Sequence, residues 1–296
     1  MKVVKPITVT APVLISSTAT ETVSARNAGT AYVVGNQVLR TTTNRIYQRI
    51  IAGTTATAPE SDTTNWLDLQ PSNTWAMFDS EISTQTTATT SLTVVIKPGY
   101  TNSLCLFGLV GTTLTVTVRD GLAGPVVYTT TKTLDGTVIA DYYQYFFEPA
   151  VQLGSVVLSD LPPYLNAHIT IAIAGTGTVK CGICLAGTFY ELGDTQYGAT
   201  SSIIDYSRKD TDAFGVTSFV RRAYSDRITM SLMFPNAQLN KVKSVLAGLR
   251  ATPCAWIGTD VEGFEVLSTF GFYKDFSITI AYPTQSLCAL EIEGLT

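Results

Sequence analysis

Charge is scarce in this chain of 296 residues: Asp, Glu, Lys and Arg make up 14% of it, with 19 basic residues against 23 acidic. The densest basic group, Arg221-Arg222 with Arg227, is too small to form the stripe that phosphate binding needs. This argues against a nucleic-acid partner. Histidine is reduced to His168, and a Ser-His-Asp triad would have to use it. It opens an alternating strand in a chain with no Gly-x-Ser-x-Gly turn, so its expected role is structural. No stretch reaches the ~20 apolar residues of a membrane-spanning helix. In MKVVKPITVT, Pro6 and Thr8 interrupt the apolar core of an export signal. The expectation is a protein made and assembled in a cytoplasm, without membrane insertion.

Other catalytic signatures are missing too. Cys105, Cys181, Cys184, Cys254 and Cys288 are odd in number and irregularly spaced, unlike a disulfide framework. Cys181-Gly182-Ile183-Cys184 lacks the second ligand pair of a zinc site. On an extended strand its two thiols would point to opposite faces. A glycan hydrolase needs two carboxyl groups ~5–9 Å apart. The densest acidic group is Glu191, Asp194, Asp205, Asp210 and Asp212, interleaved with Arg208, Lys209, Gly193, Gly198 and Gly215. It reads as a long inter-domain loop with paired surface charges; Asp210-x-Asp212 has the residue types to ligate calcium, but one short acidic pair is a weak signal for it. GTGTVKCG lacks the Gly-Lys-Ser/Thr ending of a phosphate loop. No catalytic residue, metal ligand or cofactor is expected, and the chain is not expected to be an enzyme.

What is abundant is β-forming material. Apolar residues make up 45% of the chain, and there are 46 threonines; β-branched and aromatic side chains suit a pleated, half-buried surface. Residues 73–198 run as short strands about ten residues apart, among them SLTVVIKPG, TLTVTVRDG, YYQYFFEPA and HITIAIAGTGTVKCGICLAG. That spacing predicts an antiparallel sandwich or jelly roll. From 199 to 296 the pattern changes. Ile228, Met230, Leu232 and Phe234 share one face of a strand, and Asn236 is placed to cap a helix. Leu239, Val242, Leu246 and Leu249 follow at helical spacing, and Pro253 ends the run. One helix on an antiparallel sheet, a small α+β domain, is the expectation. Residues 1–30 read as an extended arm, adding a strand to another domain or reaching a neighbouring subunit. The fold class is therefore mainly β.

Residues 31–72 form a further small β module. Its order, AYVVGNQV, then RIYQRII with Tyr47, then Pro59 and Trp66, resembles the chitin-binding type of carbohydrate-binding module (families 5 and 12). Asn36 stands where that family usually has Asp, and Arg49 near its usual small residue. The resemblance implies that Tyr32, Tyr47 and Trp66 face a sugar, flat rings against C–H faces. The residues alone leave the alternative open, because a forty-residue module also needs its aromatics as core.

The strand pattern of 73–198 resembles galactose-binding-like jelly rolls. The C-terminal run, LAGLRATPCAWIG, GFYKDFSITI and EIEGL, resembles structural proteins of tailed bacteriophages, as do the opening MKVVKPITVT and the junction NWLDLQPSNTWAMFD. This second resemblance implies a virion protein of the tail, baseplate or fibre-attachment region. Its partners would be copies of itself and other virion proteins, with host-surface glycan as a further contact. The rival expectation is a carbohydrate-binding accessory of a polysaccharide-degrading system.

Overall fold

The computed structural model describes residues 1–137, 139–261 and 263–295, so the last residue of the 199–296 block lies outside them. Two short strands open the chain, β1 (Lys2–Pro6) and β2 (Leu14–Ser17). The small module holds β3 (Gln37–Arg40), β4 (Arg45–Arg49) and β5 (Trp66–Pro71). Next come β6 (Thr86–Ile96), β7 (Ser103–Phe107), β8 (Thr113–Asp120) and β9 (Val126–Thr133). A six-residue helix, α1 (Tyr142–Phe147), precedes β10 (Ser155–Leu158), β11 (Ala167–Cys181) and β12 (Ile183–Glu191). Then follow β13 (Asp194–Thr195), β14 (Thr200–Asp205), β15 (Arg208–Thr211), β16 (Thr217–Val220) and β17 (Tyr224–Pro235). Helix α2 (Leu239–Gly248) and strands β18 (Cys254–Ile257), β19 (Ser268–Thr279) and β20 (Gln285–Gly294) finish the chain.

The fold is mainly β and antiparallel. A five-stranded sheet, β2-β6-β11-β8-β9, faces a ten-stranded one that runs β10-β7-β12-β1-β18-β19-β20-β17-β13, with β14 also on β17. Alternation sorts the side chains. Leu92, Val94, Ile96, Val116, Val118, Ile169 and Ile171 of the smaller sheet pack on Leu104, Leu106, Cys184 and Ala186 of the larger. Outward-facing threonines of β8 and β9 pair by hydroxyl, Thr115 with Thr131 at 3.0 Å and Thr117 with Thr129 at 3.3 Å. The abundant threonine is thus partly a cross-strand ladder on the wet face.

The small strand β1 joins the two halves. Its register runs antiparallel with β12 on one side (Lys2 opposite Glu191 to Pro6 opposite Gly187) and with β18 on the other (Val3 opposite Trp256). The blocks at 73–198 and 199–296 therefore share one sheet. Val3 faces the side covered by α2, with Trp256, Ile228, Met230, Leu232, Val242 and Leu246. Val4 faces the opposite side, with Phe107, Leu185, Ala255 and Phe270. The rings of Phe107 on β7 and Phe270 on β19 lie 6.2 Å apart, although β12, β1 and β18 run between their strands. In a flat sheet that separation would be about 19 Å. The sheet is curled around β1 with the Val4 cluster inside the curl.

Several local expectations are corrected. YYQYFF is not a strand: Asp141 accepts a hydrogen bond from Gln144 N (2.8 Å) as an N-cap, and α1 forms instead. Asn236 does not cap α2. Its amide donates to Tyr282 O (3.2 Å) and Pro283 O (3.0 Å), and its Oδ1 accepts from Ser286 Oγ (2.6 Å), so it ties down the β19–β20 turn. A 3-10 turn, Asn236–Gln238, leads into the helix. Helix α2 buries Val242 and Leu246, with Leu249 just beyond its end, while Leu239 packs partly buried against the same cluster. HITIAIAGTGTVKCGICLAG is two strands rather than one, because the chain crosses between sheets at Gly182. A Cβ there would meet Ile82 O at 2.9 Å and Phe107 O at 3.2 Å. This break puts Cys181 and Cys184 in the same sandwich core and not on opposite faces.

A Val4→Asp substitution tests the shared sheet. A carboxylate with no partner inside the curl should cost about 3 kcal/mol or more. Because β1 serves both halves, calorimetry should show a single melting transition shifted down. Two transitions, one of them unmoved, would contradict the shared sheet.

Candidate functional site

The module of β3, β4 and β5 sits between two adjacent strands, β2 and β6, as an elaborated hairpin loop. A polar clamp closes its neck. The Glu21 carboxylate accepts from Asn73 N (3.0 Å) and Thr74 N (2.9 Å). The Asn73 side chain donates to Thr20 O (2.9 Å) and Thr87 O (2.8 Å), and accepts from Thr87 N (2.8 Å). Burial pushes the Glu21 carboxyl up, but the hydrogen bonds from Thr74, Ser72 and Asn73 outweigh it and hold it below the usual carboxylate range.

Inside the module, Val38, Tyr47 and Trp66 form the core, and Tyr32 packs against them half-buried. Trp66 is 2% exposed and Tyr47 4%. The Arg49 guanidinium lies over the Trp66 ring, 4.9 Å from its centroid, and Tyr32 meets the same ring edge-on at 5.3 Å. This cation–π stack covers one face of the Trp66 ring. Tyr32 Oη accepts from Asn27 N (2.8 Å), which fixes its ring against the lead-in. Of the two alternatives, the burial is that of core residues. Arg49 Nε and Nη1 and Trp66 Nε1 make no hydrogen bond among the described residues.

Residues with catalytic potential are dispersed. His168 is buried in β11, its Nδ1 2.9 Å from Asn166 O. All five cysteines are free and buried, and burial pushes their thiols up, Cys288 to about 11 and Cys254 to about 12. Thiols so raised are protonated near neutrality and are poor nucleophiles. The acidic group divides. Asp205, Asp210 and Asp212 belong to β14 and a hairpin arm made of β15 and β16, so this stretch is an ordered ladder and not a loop. Asp205 accepts from Ser207 N (2.8 Å), Asp212 from Phe214 N (2.9 Å) and Val216 N (2.8 Å), and Asp210 pairs with Arg208 at 2.6 Å. Among the described residues no three His, Cys, Asp or Glu converge as a metal site.

Glu191 and Asp194 instead line a cleft of about 1290 Å³, together with Asp260, Met233, Ile257 and Leu267. Lys2 is engaged there: its Nζ pairs with Asp260 Oδ2 at 2.6 Å, donates to Ser159 Oγ at 3.1 Å and lies 4.6 Å from the Phe189 ring centroid. The Met1 ammonium donates to Gly193 O.

Two apolar protrusions complete the surface, and sequence reasoning missed both. The five aromatics of α1 are each at least 63% exposed and stack chiefly on one another, Tyr143 on Phe147 at 5.0 Å and Tyr145 on Phe146 at 4.9 Å. The arm carries Phe214 at 92% and Phe219 at 77% exposure. A signal for the arm was present, since Asp212-Ala213-Phe214-Gly215 separates two short runs and Gly215 takes a positive φ of 81°. Compared with known proteins, the chain matches no family model and no curated protein.

Two outcomes check this site. Trp66→Ala should cost roughly 3–5 kcal/mol of module stability, read by thermal melting. An unchanged melting curve would mean that the ring is not core. For Glu21, a lowered folded pKa means stability present above the usual carboxylate pKa and lost as pH falls through the lowered value. Between pH 7 and pH 3 the wild type should therefore lose more melting temperature than Glu21→Gln.

Proposed function

We propose that the protein is a non-enzymatic structural component of a tailed-bacteriophage virion, in the tail, baseplate or fibre-attachment region, assembled with copies of itself and other virion proteins. The observation that carries the assembly part is the pair of apolar protrusions on a well-buried sheet framework. A six-residue helix has no stability of its own in water, and exposed aromatic patches of this kind mark interaction surfaces. The resemblance of the C-terminal run to phage structural proteins supplies the virion setting. Low charge and buried, protonated thiols fit a scaffold better than a catalyst. The small module, with Tyr32, Tyr47 and Trp66 engaged in its own packing, serves as a spacer held at a clamped neck.

Light scattering and negative-stain imaging of the full chain test this reading. Multimers of uniform size at micromolar concentration are expected, together with no turnover of host polysaccharide. A strictly monomeric protein, or turnover that Asp194→Asn abolishes, would overturn it.

A further inference from the structure

Strand β17 carries a convex feature at one end and a concave one at the other. Beyond Tyr224, paired with Asp205, the ladder continues through the hydrogen bond from Tyr206 N to Ala223 O (3.2 Å) into the arm of β15 and β16. The arm presents Phe214, Val216 and Phe219 to solvent. At the far end, Met233 and Pro235 border the cleft, whose exposed apolar residues include Tyr197, Val261, Phe264 and Val266. Met233 lies nine residue steps from Tyr224, roughly 30 Å along a strand; the cleft reaches back along β14 as far as Ser201, and the ladder carries the arm the other way. None of the arm's residues, 208–220, lines the chain's own cleft.

We propose that the arm of one copy of this chain inserts into the cleft of the next. The inference rests on the self-assembly reading above and names its surfaces. The net charges are opposite in sign. The arm and its base carry Arg208, Lys209, Arg221 and Arg222 against Asp205, Asp210 and Asp212. The cleft holds Glu191, Asp194 and Asp260 against Lys2 and the Met1 ammonium. Helix α1, flanked by Asp141 and Glu148 with no basic neighbour, would bring like charge to those carboxylates, so the arm is the better occupant. A knob at one end and a socket at the other make a heterologous contact, which closes into a ring or runs on as a helix according to the rotation per copy.

Disulfide trapping tests this, because the five native cysteines are buried and leave introduced ones to react. Chains carrying Ala213→Cys at the arm tip are mixed with chains carrying Val261→Cys at the cleft under mild oxidant. A covalent dimer is expected in the mixture and in neither variant alone. Sedimentation gives the second readout: Phe214→Asp with Phe219→Asp should weaken association at least about tenfold with unchanged melting. Arg221→Glu with Arg222→Glu should weaken it about tenfold, and Glu191→Lys with Asp194→Lys should restore it. Multimers that persist in the arm variants, with no trapped dimer, would overturn the arm–cleft contact and leave self-assembly standing. A wild-type chain that never associates would overturn both.

Discussion

Five residues, Lys2–Pro6, hold together a sheet that the rest of the chain cannot complete. Without β1, the edges of β12 and β18 would be left without their partner, and open edges invite pairing with other chains. Its two valines divide the work. Val3 closes the cluster beneath α2, and Val4 closes the inside of the curl, where Phe107 and Phe270 approach across three intervening strands. Burial on both faces explains why β7 and β18 are buried at every residue, as a strand covered on one face would not be.

That framework presents three projections of different character. The small module leaves between β2 and β6 on a neck tied by Glu21 and Asn73, and spends its aromatics on itself. Helix α1 and the arm do the reverse and turn their aromatics outward. A chain with only 14% charged residues has few means of keeping such surfaces solvated. On the proposed reading association covers them, and the cleft beside Glu191 and Asp194 is the proposed seat of the arm.

Much of this was legible in the sequence. Period-two alternation in β8, β11 and β17, and helical spacing at Val242 and Leu246, decided the element types because each buried face is long enough to be unambiguous. The role of β1 was not legible, since Lys-Val-Val-Lys-Pro shows no alternation and says nothing about which strands flank it. YYQYFF has strand propensity, yet among the described residues it finds no neighbouring strand, and the Asp141 cap decides for a helix. Asn236 has the right identity for a cap but is drawn to the Tyr282–Ser286 turn, a tertiary partner that local pattern cannot reveal. For Trp66 and Tyr47, family position and core composition use the same residue types, so their burial in the module's core could not be read from the sequence.

Native-state hydrogen exchange of the β1 amides tests the central claim most directly. If β1 is the shared central strand, Val3, Val4 and Lys5 should open only with global unfolding, at the same free energy as the amides of β12 and β18. Rapid exchange of those three through local fraying, while β12 and β18 stay protected, would contradict it.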